Sequence, residues 1–553
     1  MSGLMTGLVT GLVTALGAHL IVAPVVLPLL AGAAMLVIGG ERQRAWQIAI
    51  GLLSTFALIG IALALAIGAD AAPHGLLGVY RLGDWPAPFA IVLVADRLSA
   101  LMLLLASLVA AAAIVFSIAR WQRAGPHFHP LFQFLLVGLN GAFLTGALFN
   151  LFVFFEVLLV ASYGLALHGS GPARIRAGTH YVVVNLAASL LFLIGVSLIY
   201  GVAGTLNMAD IAARLAALPA DKRALFEAGA GILGIAFLVK AGMWPLCFWL
   251  PSTYAAASPP VACVFAILTK VGAYVVLRLW LLLPGAETGL GQFGGDWLVA
   301  GGLATVAFGA IGSLASQDMA RLASFSVLVS SGTVLAAIGM GGVDLAGGAL
   351  YYLASSTLAI AAFFLLIELV ERGREPGADV LAVTREAYGD DESLEDDEAE
   401  GTVGLAIPAT MGLLGLAFAG CALVIAGLPP LSGFVGKFAL LRASLETTGV
   451  SAGMPGTAVV PFAAWAFLAL LLISGLAALI AMVRAGIRVF WLTSDRAVPA
   501  VGLIEIVPVG ALLLLCAVQT VAAGPIMHYA EATAQSLHAP HDYVRAVLAA
   551  GGR

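Results

Sequence analysis

Charged side chains are scarce in this sequence of 553 residues. Asp, Glu, Lys and Arg together make up 10% of it, whereas soluble domains carry about 25%. The chain has four cysteines, none of them in a CxxC pair, and we expect all four to be small core residues rather than metal ligands or disulfides. The sequence also lacks a Gly-rich phosphate loop, an HExxH helix, a haem motif and a GxSxG elbow. It therefore indicates no hydrolase or nucleotide chemistry and predicts neither a cofactor nor a metal site.

Hydrophobic residues, in contrast, make up 61% of the chain, and the mean hydropathy is +1.06. These values are typical of a polytopic membrane protein. No Lys or Arg precedes Arg42, so the beginning of the sequence has no basic region of the kind that a cleavable signal peptide carries. We expect the first spans to direct membrane insertion themselves.

Apolar stretches of about 20 residues predict an all-α fold with about 14 transmembrane helices. The predicted spans are 18–38, 47–68, 98–118, 130–147, 150–168, 180–201, 229–250, 260–283, 297–315, 322–340, 346–370, 408–445 (long and broken), 461–490 and 503–523. Residues 203–228 are predicted to form a short amphipathic helix at the outer interface. The acidic stretch 371–400 is predicted to be a solvated cytoplasmic loop.

Arginine is distributed unevenly between the two sets of alternating loops, and this predicts the orientation. The richer set is Arg42, Arg44, Arg120, Arg123, Arg174, Arg176, Arg321, Arg372, Arg374, Arg385, Arg484, Arg488 and Arg496. We expect these residues to face the cytoplasm of a bacterium, with the chain in the inner membrane and both termini outside.

Three of the four lysines lie where a charge is most expensive. Lys240, Lys270 and Lys437 all occur inside long apolar runs, and a charge at the centre of a bilayer costs roughly 2.5–3.5 kcal/mol on insertion scales. Unlike arginine, lysine can lose its proton when it is desolvated. Two lysines on adjacent helices, such as Lys240 and Lys270, also influence each other's protonation. The pattern predicts a path for protons.

Two of the lysine-bearing spans are interrupted by proline. Pro245 follows Lys240, and Pro429 and Pro430 precede Lys437. Proline inside a span frees backbone carbonyls, and broken helices in corresponding halves are typical of ion sites in transporters built from repeats. The lysines lie on opposite sides of their prolines, as an inverted relation between the halves produces.

A buried carboxylate is the natural partner for one of these amines. Glu156 lies near the middle of the fifth span, and Lys240 is the best candidate partner. The alternative is a static ion pair that only fixes helix register. No histidine lies in the middle of a span after the sixth, so hydroxyls such as Ser355, Ser356 and Thr357, together with water, are predicted to complete the relay.

Three stretches carry a family resemblance: FFEVLLVASYGL, FLVKAGMWPLCFWLPSTYAAASPPVACVFAILTKVGAYVV and GLPPLSGFVGK. They resemble the proton-translocating membrane subunits shared by respiratory complex I and the Mrp (Pha) cation/proton antiporters. Segments 82–102 and 316–332 look like the D-type subunits of Mrp. The resemblance extends over about residues 18–525.

The resemblance implies roles for four residues and a division of the chain. Glu156, Lys240, Lys270 and Lys437 match the family's proton-transferring glutamate and lysines. The implied domains are 1–129 with spans 1–3, 130–283 as a first inverted five-helix repeat (spans 4–8), 297–490 as the second (spans 9–13), and 491–553 with the last span and tail. Many relatives have a histidine and a lysine in the eleventh span where this chain has Ser355 and Ile360, so a continuous relay between the halves depends on bridging water.

The sequence therefore favours a proton-translocating subunit of a monovalent cation (Na⁺)/H⁺ antiporter, not an enzyme in itself. The expected partners are subunits of the A, B, C, E, F and G types, with lipid, protons and monovalent cations but no nucleic acid. A pumping subunit of a complex I-like oxidoreductase or membrane-bound hydrogenase is the first alternative. A scaffold subunit, in which the lysines only hold helices together, is the second.

Overall fold

The computed structural model describes residues 19–39, 43–85, 90–125, 127–215, 217–283, 294–372, 409–446, 461–490 and 500–549. Within these ranges the chain forms nineteen α-helices and one two-stranded sheet. The first half contains α1 (His19–Ile38), α2 (Arg44–Ala71), β1 (Leu76–Arg81), β2 (Val92–Asp96), α3 (Arg97–Ala119), α4 (Phe128–Leu144), α5 (Leu148–Ala166), α6 (Pro172–Ala203), α7 (Met208–Leu215), α8 (Ala220–Ala241), α9 (Trp249–Ala256) and α10 (Pro259–Leu282). The second half contains α11 (Gly295–Ala315), α12 (Met319–Met340), α13 (Val343–Glu371), α14 (Ala409–Ala426), α15 (Ser432–Glu446), α16 (Phe462–Phe490), α17 (Leu503–Val521), α18 (Ala523–His538) and α19 (His541–Ala549).

The predicted membrane fold is confirmed. Thirteen helices in the described part of the chain are long and apolar enough to span a membrane, and the shorter apolar helix α4 occupies the predicted fourth span. The predicted spans and the observed helices match one for one, with both predicted breaks present. The inverted repeats and the domain boundaries stay predictions.

Two helices form the centre of the bundle. Every residue of the most apolar stretch of α10 is buried, as is nearly all of that of α13. Helix α13 packs against α10, α12, α14, α15 and α17. A helix that is apolar on all sides is expected at such a central position, and it places its few polar side chains where several helices meet.

One end of the bundle, which we call the hairpin face, carries the sheet and the last helices. Strand β1 pairs with β2 in antiparallel register, with Val79 opposite Val94, and α19 packs against α7 and β1. Tyr529 of α18 donates to the Arg97 carbonyl, 3.0 Å away. His19 at the start of α1 contacts Tyr80, so both ends of the described chain lie at this face.

The opposite end, which we call the arginine face, carries Arg372, Arg484 and Arg488. Arg484 donates to the carbonyls of Leu314 and Ser316, at 2.6 and 2.8 Å, where α11 ends. Cations stabilise the carbonyl end of a helix in this way. Arg372 forms hydrogen bonds with the half-buried Glu368 and the buried Glu505, and so joins the end of α13 to α17.

Three smaller predictions have different outcomes. The amphipathic helix predicted within 203–228 is confirmed as α7 but is shorter, because the residues from Ala220 onward already belong to α8. All four cysteines are free and buried, as expected for core residues. The predicted acidic loop 371–400 lies outside the described residues from 373 onward.

Candidate functional site: the buried lysines

The structure buries three of the four lysines. The exposed fractions of Lys240, Lys270 and Lys437 are 5%, 0% and 7%, whereas Lys222 near the start of α8 is exposed. A buried ammonium needs hydrogen-bond acceptors or a nearby negative charge, because desolvation makes its charged form unfavourable. The partners of each amine therefore indicate what it can do.

The first helix break determines the surroundings of Lys240. Helix α8 ends at Gly242, whose φ of +72° is rare for any residue with a side chain. The N–H groups of Gly242 and Met243 donate back to carbonyls of the preceding turn, which ends the helix within the bundle. Lys240 thus lies in the last turn, where the carbonyl end of the helix favours a positive charge.

Glu156 lies close to Lys240 but does not touch it. The ammonium of Lys240 is 4.9 Å from the centre of the Phe155 ring, and Glu156 follows Phe155 on α5, within electrostatic range of the lysine. Among the described residues, neither the Lys240 ammonium nor the buried Oε1 of Glu156 has a hydrogen-bond partner. The structure therefore brings the predicted pair together without a direct salt bridge, which is not the geometry of a static clamp.

Lys270, in contrast, is hydrogen-bonded to hydroxyls. Its ammonium donates to Ser330 Oγ at 2.8 Å and to Ser331 Oγ at 3.1 Å, both on α12. Ser330 in turn is bonded to Ser356 Oγ on α13 at 2.7 Å, and Ser356 donates to the Tyr352 carbonyl at 2.8 Å. These bonds form a continuous chain from α10 to α13.

The second helix break holds Lys437. Helix α14 ends at Gly427, with φ of +77°, and its last carbonyls are left without helical partners. Lys437, on the following half-helix α15, donates to the carbonyls of Ala426 at 2.7 Å and Ile425 at 3.3 Å. The side chain crosses directly over Gly427, where a Cβ would collide with Lys437 Cδ. The break thus supplies the acceptors that this ammonium needs.

The three candidate relay hydroxyls occupy different environments. Ser355 shares a 2.7 Å hydrogen bond with Ser432, the first residue of α15, and Ser356 belongs to the chain that begins at Lys270. Thr357 donates to Leu353 of its own helix. The adjacent residues Ser355 and Ser356 therefore bond in different directions: Ser355 to the helix after the second break, and Ser356 to the chain that leads to Lys270.

Two features of the site were not predicted, although both can be read from the amino-acid sequence. Ala241 and Gly242 precede Pro245 as Ala426 and Gly427 precede Pro430, so that one AGxxP pattern forms both breaks. The second feature is the pair Ser330 and Ser331, the acceptors for Lys270. Their sequence signal was a pair of adjacent serines in the tenth span, which also contains Ser324, Ser326 and Thr333.

A buried ion pair at the hairpin face was also missed. Arg278 in α10 donates to both carboxylate oxygens of Asp96, and the Oδ1 contact measures 2.9 Å. Asp96 also caps α3 by accepting from the Ser99 N–H at 2.8 Å. Burial alone would raise the pKa of Asp96. The charge and the hydrogen bond of Arg278, together with the hydrogen bonds from Ser99, hold this pKa below its ordinary value. The sequence did not indicate Arg278 as the partner of Asp96.

The fold and the buried lysines together define a class: an ion-translocating membrane subunit built around broken helices. Residues 145–459 match the model of the family described as NADH:quinone oxidoreductase/Mrp antiporter, TM. This match covers more than half of the chain. The chain belongs to this family.

Relatives of similar length are found in several bacteria. A probable K⁺/H⁺ antiporter subunit of the D type from Rhizobium meliloti (strain 1021) is 59% identical over 537 residues, covering 96% of this chain and 98% of the relative. A D-type Na⁺/H⁺ antiporter subunit from Alkalihalophilus pseudofirmus is 33% identical, covering 96% and 99%. Resemblance therefore extends over nearly the whole length of both proteins.

Solved structures share the fold. A chain of the Mrp complex from Dietzia sp. DQ12-45-1b superimposes with a TM-score of 0.79 at 23% identity, covering 96% of this chain and all of that chain. A chain of respiratory complex I from Thermus thermophilus gives a TM-score of 0.71 at 23% identity, covering 94% and 99%. At this level of identity the likeness concerns the fold alone.

Proposed function

We propose that the chain is the D-type subunit of a multisubunit monovalent cation/proton antiporter and carries its protons through the buried lysines. The observation that carries this proposal is the set of three buried amines, two of them at helix breaks. The near full-length resemblance to a D-type antiporter subunit at 59% identity supports it. The chain is a component of a secondary transporter and not an enzyme.

The proton path uses the groups in the order in which they lie across the bundle. The Glu156–Lys240 pair receives or releases a proton at the first break, where neither charge is fixed by a direct bond. Lys270 passes its proton to Ser330 and Ser356, which are already hydrogen-bonded in series. Lys437 takes it at the second break. Each of the three amines is buried and so lies away from bulk water, and lysine, unlike arginine, can lose its proton.

The proposed setting is the plasma membrane of a bacterium, in a complex with other antiporter subunits. The arginine face lies in the cytoplasm, because positively charged loops are retained there, and the hairpin face with both termini lies outside. The named relatives include both K⁺/H⁺ and Na⁺/H⁺ antiporters, and we propose a monovalent cation of this kind as the exchanged ion.

One alternative function shares the same residues. A pumping subunit of a complex I-like assembly has the same fold, but the near full-length relatives with the higher identities named above are antiporter subunits. Co-purified polypeptides separate the two: small antiporter subunits support the proposal, and quinone- or iron–sulfur-binding subunits support the alternative. Exchange measurements on the lysine variants distinguish proton transfer from a scaffold role, in which the lysines only hold helices together.

The proposal is tested in everted membrane vesicles, with cation-dependent proton release followed by a fluorescent pH probe. Glu156→Ala and Lys240→Ala are expected to abolish exchange while the complex still assembles, as judged on a native gel. Lys222→Ala and Glu446→Gln are matched controls, because both side chains are exposed. Exchange at the wild-type rate in Glu156→Ala or Lys240→Ala contradicts the proposal. The proposal is also contradicted if these variants lose exchange only because the complex no longer assembles.

A further inference from the structure

A small cavity with four serines in its lining lies in the gap between the Lys270 chain and the second break. Its volume is about 20 Å³, and a buried water needs roughly 10–15 Å³. The cavity therefore holds one particle the size of a water molecule. Its polar lining comes from four helices: Ser313, Ser326, Ser356 and Ser474.

All four serine hydroxyls are oriented by their own helices. Ser313 and Ser326 donate to carbonyls four residues back, each at 2.9 Å, and Ser474 donates three residues back at 2.8 Å. Ser356 likewise donates to the carbonyl four residues back. With their hydrogens committed in this way, the oxygens offer the cavity lone pairs only.

The cavity also borders the broken helix. Val424, Ile425 and Gly433 line it, so the carbonyl end of α14, which carries partial negative charge, lies at its wall. None of the described residues that line the cavity carries a charge. The polar groups of the lining are the four serine oxygens and Tyr352, whose hydroxyl is hydrogen-bonded to Thr333. The other lining residues are apolar, so the serine oxygens and the carbonyl end of α14 are the groups that would face a positive guest.

We propose that this cavity is a binding site for one unhydrated monovalent cation, which competes with the protonated Lys437 for the end of α14. Hydroxyl and carbonyl oxygens replace the hydration shell of such ions in proteins, and unwound carbonyls near the membrane midplane are known cation ligands in transporters. An unhydrated potassium ion is close to a water molecule in size, so the volume fits it.

The competition follows from the position of Ile425, which contacts Lys437 and also lines the cavity. The Lys437 ammonium already donates to the Ile425 carbonyl. Two positive charges on the same helix end repel each other strongly in a low dielectric. A cation therefore occupies the site when Lys437 is neutral, and it leaves when Lys437 gains its proton. This couples one proton to one cation at a single place, and the inference rests on the proposed antiport function.

The first test is structural. The purified antiporter complex is examined in Tl⁺, a potassium analogue that scatters strongly, and in a large organic cation at the same ionic strength. Tl⁺ density in the serine cavity, lost in Lys437→Arg because the guanidinium stays charged, is the expected result. If the density in the serine cavity is that of a water molecule in both salts, the proposal is wrong.

The second test uses matched serines. Ser326→Ala and Ser474→Ala each remove one cavity oxygen and are expected to raise the cation concentration for half-maximal exchange roughly three- to tenfold. Ser324→Ala and Ser444→Ala are the controls: both serines are buried on α12 and α15 and bond only to their own helices, and neither lines the cavity. Ser326→Thr, which keeps the hydroxyl, is expected to restore the affinity.

The two levels of inference fail in different ways. If the wild-type complex exchanges no cation for protons, the proposed function is wrong. If the wild-type complex exchanges normally but the cavity variants match their controls in half-maximal cation concentration, only the cation site is wrong.

Discussion

The ammonium of Lys437 donates a 2.7 Å hydrogen bond to the carbonyl of Ala426, the last residue of α14. The lysine thus lies on the far side of the break and reaches back to the helix end that the break exposes. At the first break, Lys240 lies on the near side, and its ammonium has no hydrogen-bond partner among the described residues. Lys437 is therefore bonded to backbone carbonyls, whereas Lys240 has the carboxylate of Glu156 within electrostatic range.

Lys437→Arg is expected to assemble but to exchange poorly. The guanidinium can still bond to the carbonyls of Ile425 and Ala426, but it does not lose its proton. Because proton transfer by a positioned group contributes at least about a hundredfold where it is limiting, we expect exchange in everted vesicles to fall by roughly tenfold or more. Native gels check that the complex persists.

The contrasting variant for that position is Lys437→Ala, which removes the charge and leaves the helix end without a donor. It is expected to lower both exchange and the thermal stability of the complex. If Lys437→Arg exchanges at the wild-type rate, then deprotonation of this residue is not part of the cycle.

Ser356→Ala is expected to slow exchange by interrupting the hydroxyl chain. Ser330 would lose its 2.7 Å partner, and one hydrogen bond corresponds to roughly a three- to tenfold change in rate. Ser356→Thr keeps a hydroxyl at this position and is expected to retain most of the rate. Initial rates of cation-induced fluorescence change measure both variants.

The control for Ser356 is Ser107→Ala. Ser107 is buried on α3 and, among the described residues, bonds only to the carbonyl of Leu103, so it is not part of the hydroxyl chain. If Ser356→Ala and Ser107→Ala exchange at equal rates, the hydroxyl chain does not take part in proton transfer.

Gly427→Ala is expected to disturb the second break directly. Its φ of +77° penalises a side chain by about 1–2 kcal/mol, and the new Cβ would collide with Lys437 Cδ, so the lysine must move. We expect a lower melting temperature of the purified complex together with reduced exchange. Gly412→Ala on α14, where nothing lies within 4 Å of the new Cβ, is expected to change neither.

Asp96→Asn is expected to destabilise the protein rather than to change the transport cycle. It leaves the buried Arg278 without its counter-charge, and breaking a buried pair in this way costs about 3–5 kcal/mol. The double variant Asp96→Leu/Arg278→Met removes both charges and is expected to recover most of the stability. Thermal unfolding of the purified complex measures the difference.

The same pair has a defined pH dependence. Because the pKa of Asp96 is lowered in the folded protein, its contribution to stability is fully present above the ordinary pKa of an aspartate. It is lost only as the pH falls through the lower, folded value. Melting temperatures from neutral pH down to the ordinary aspartate pKa are therefore expected to show no loss attributable to Asp96, and Asp96→Asn is expected to remove its contribution throughout.

Much of the fold was predictable because the bilayer imposes it. Each span needs about 20 apolar residues and satisfies its backbone within itself, so hydropathy alone located every span, and proline marked both breaks. The hairpin β1–β2 and the helices α18 and α19 were not predicted. Their stability comes from contacts with distant elements, such as the bond from Tyr529 to the Arg97 carbonyl.

The candidate site was predictable in its charged members and not in its neutral ones. Lys240, Lys270 and Lys437 are conspicuous because each is an unusual residue in an apolar run. Ser330 and Ser326 are ordinary in such runs, and their importance depends on which side of α12 faces Lys270 and the cavity. Helix rotation is set by tertiary packing, which periodicity does not resolve when a helix is apolar on nearly all sides.

The bond between Ser330 and Ser356 constrains the timing of any transfer between the two halves. A hydroxyl does not store an extra proton at neutral pH, so each serine can accept one proton only while it gives up another. After each transfer both hydroxyls point in the reverse direction and must rotate before the next proton can follow. A link of this kind, unlike one containing an imidazole, has no resting charged state, and proton transfer along the proposed chain would occur in single concerted events.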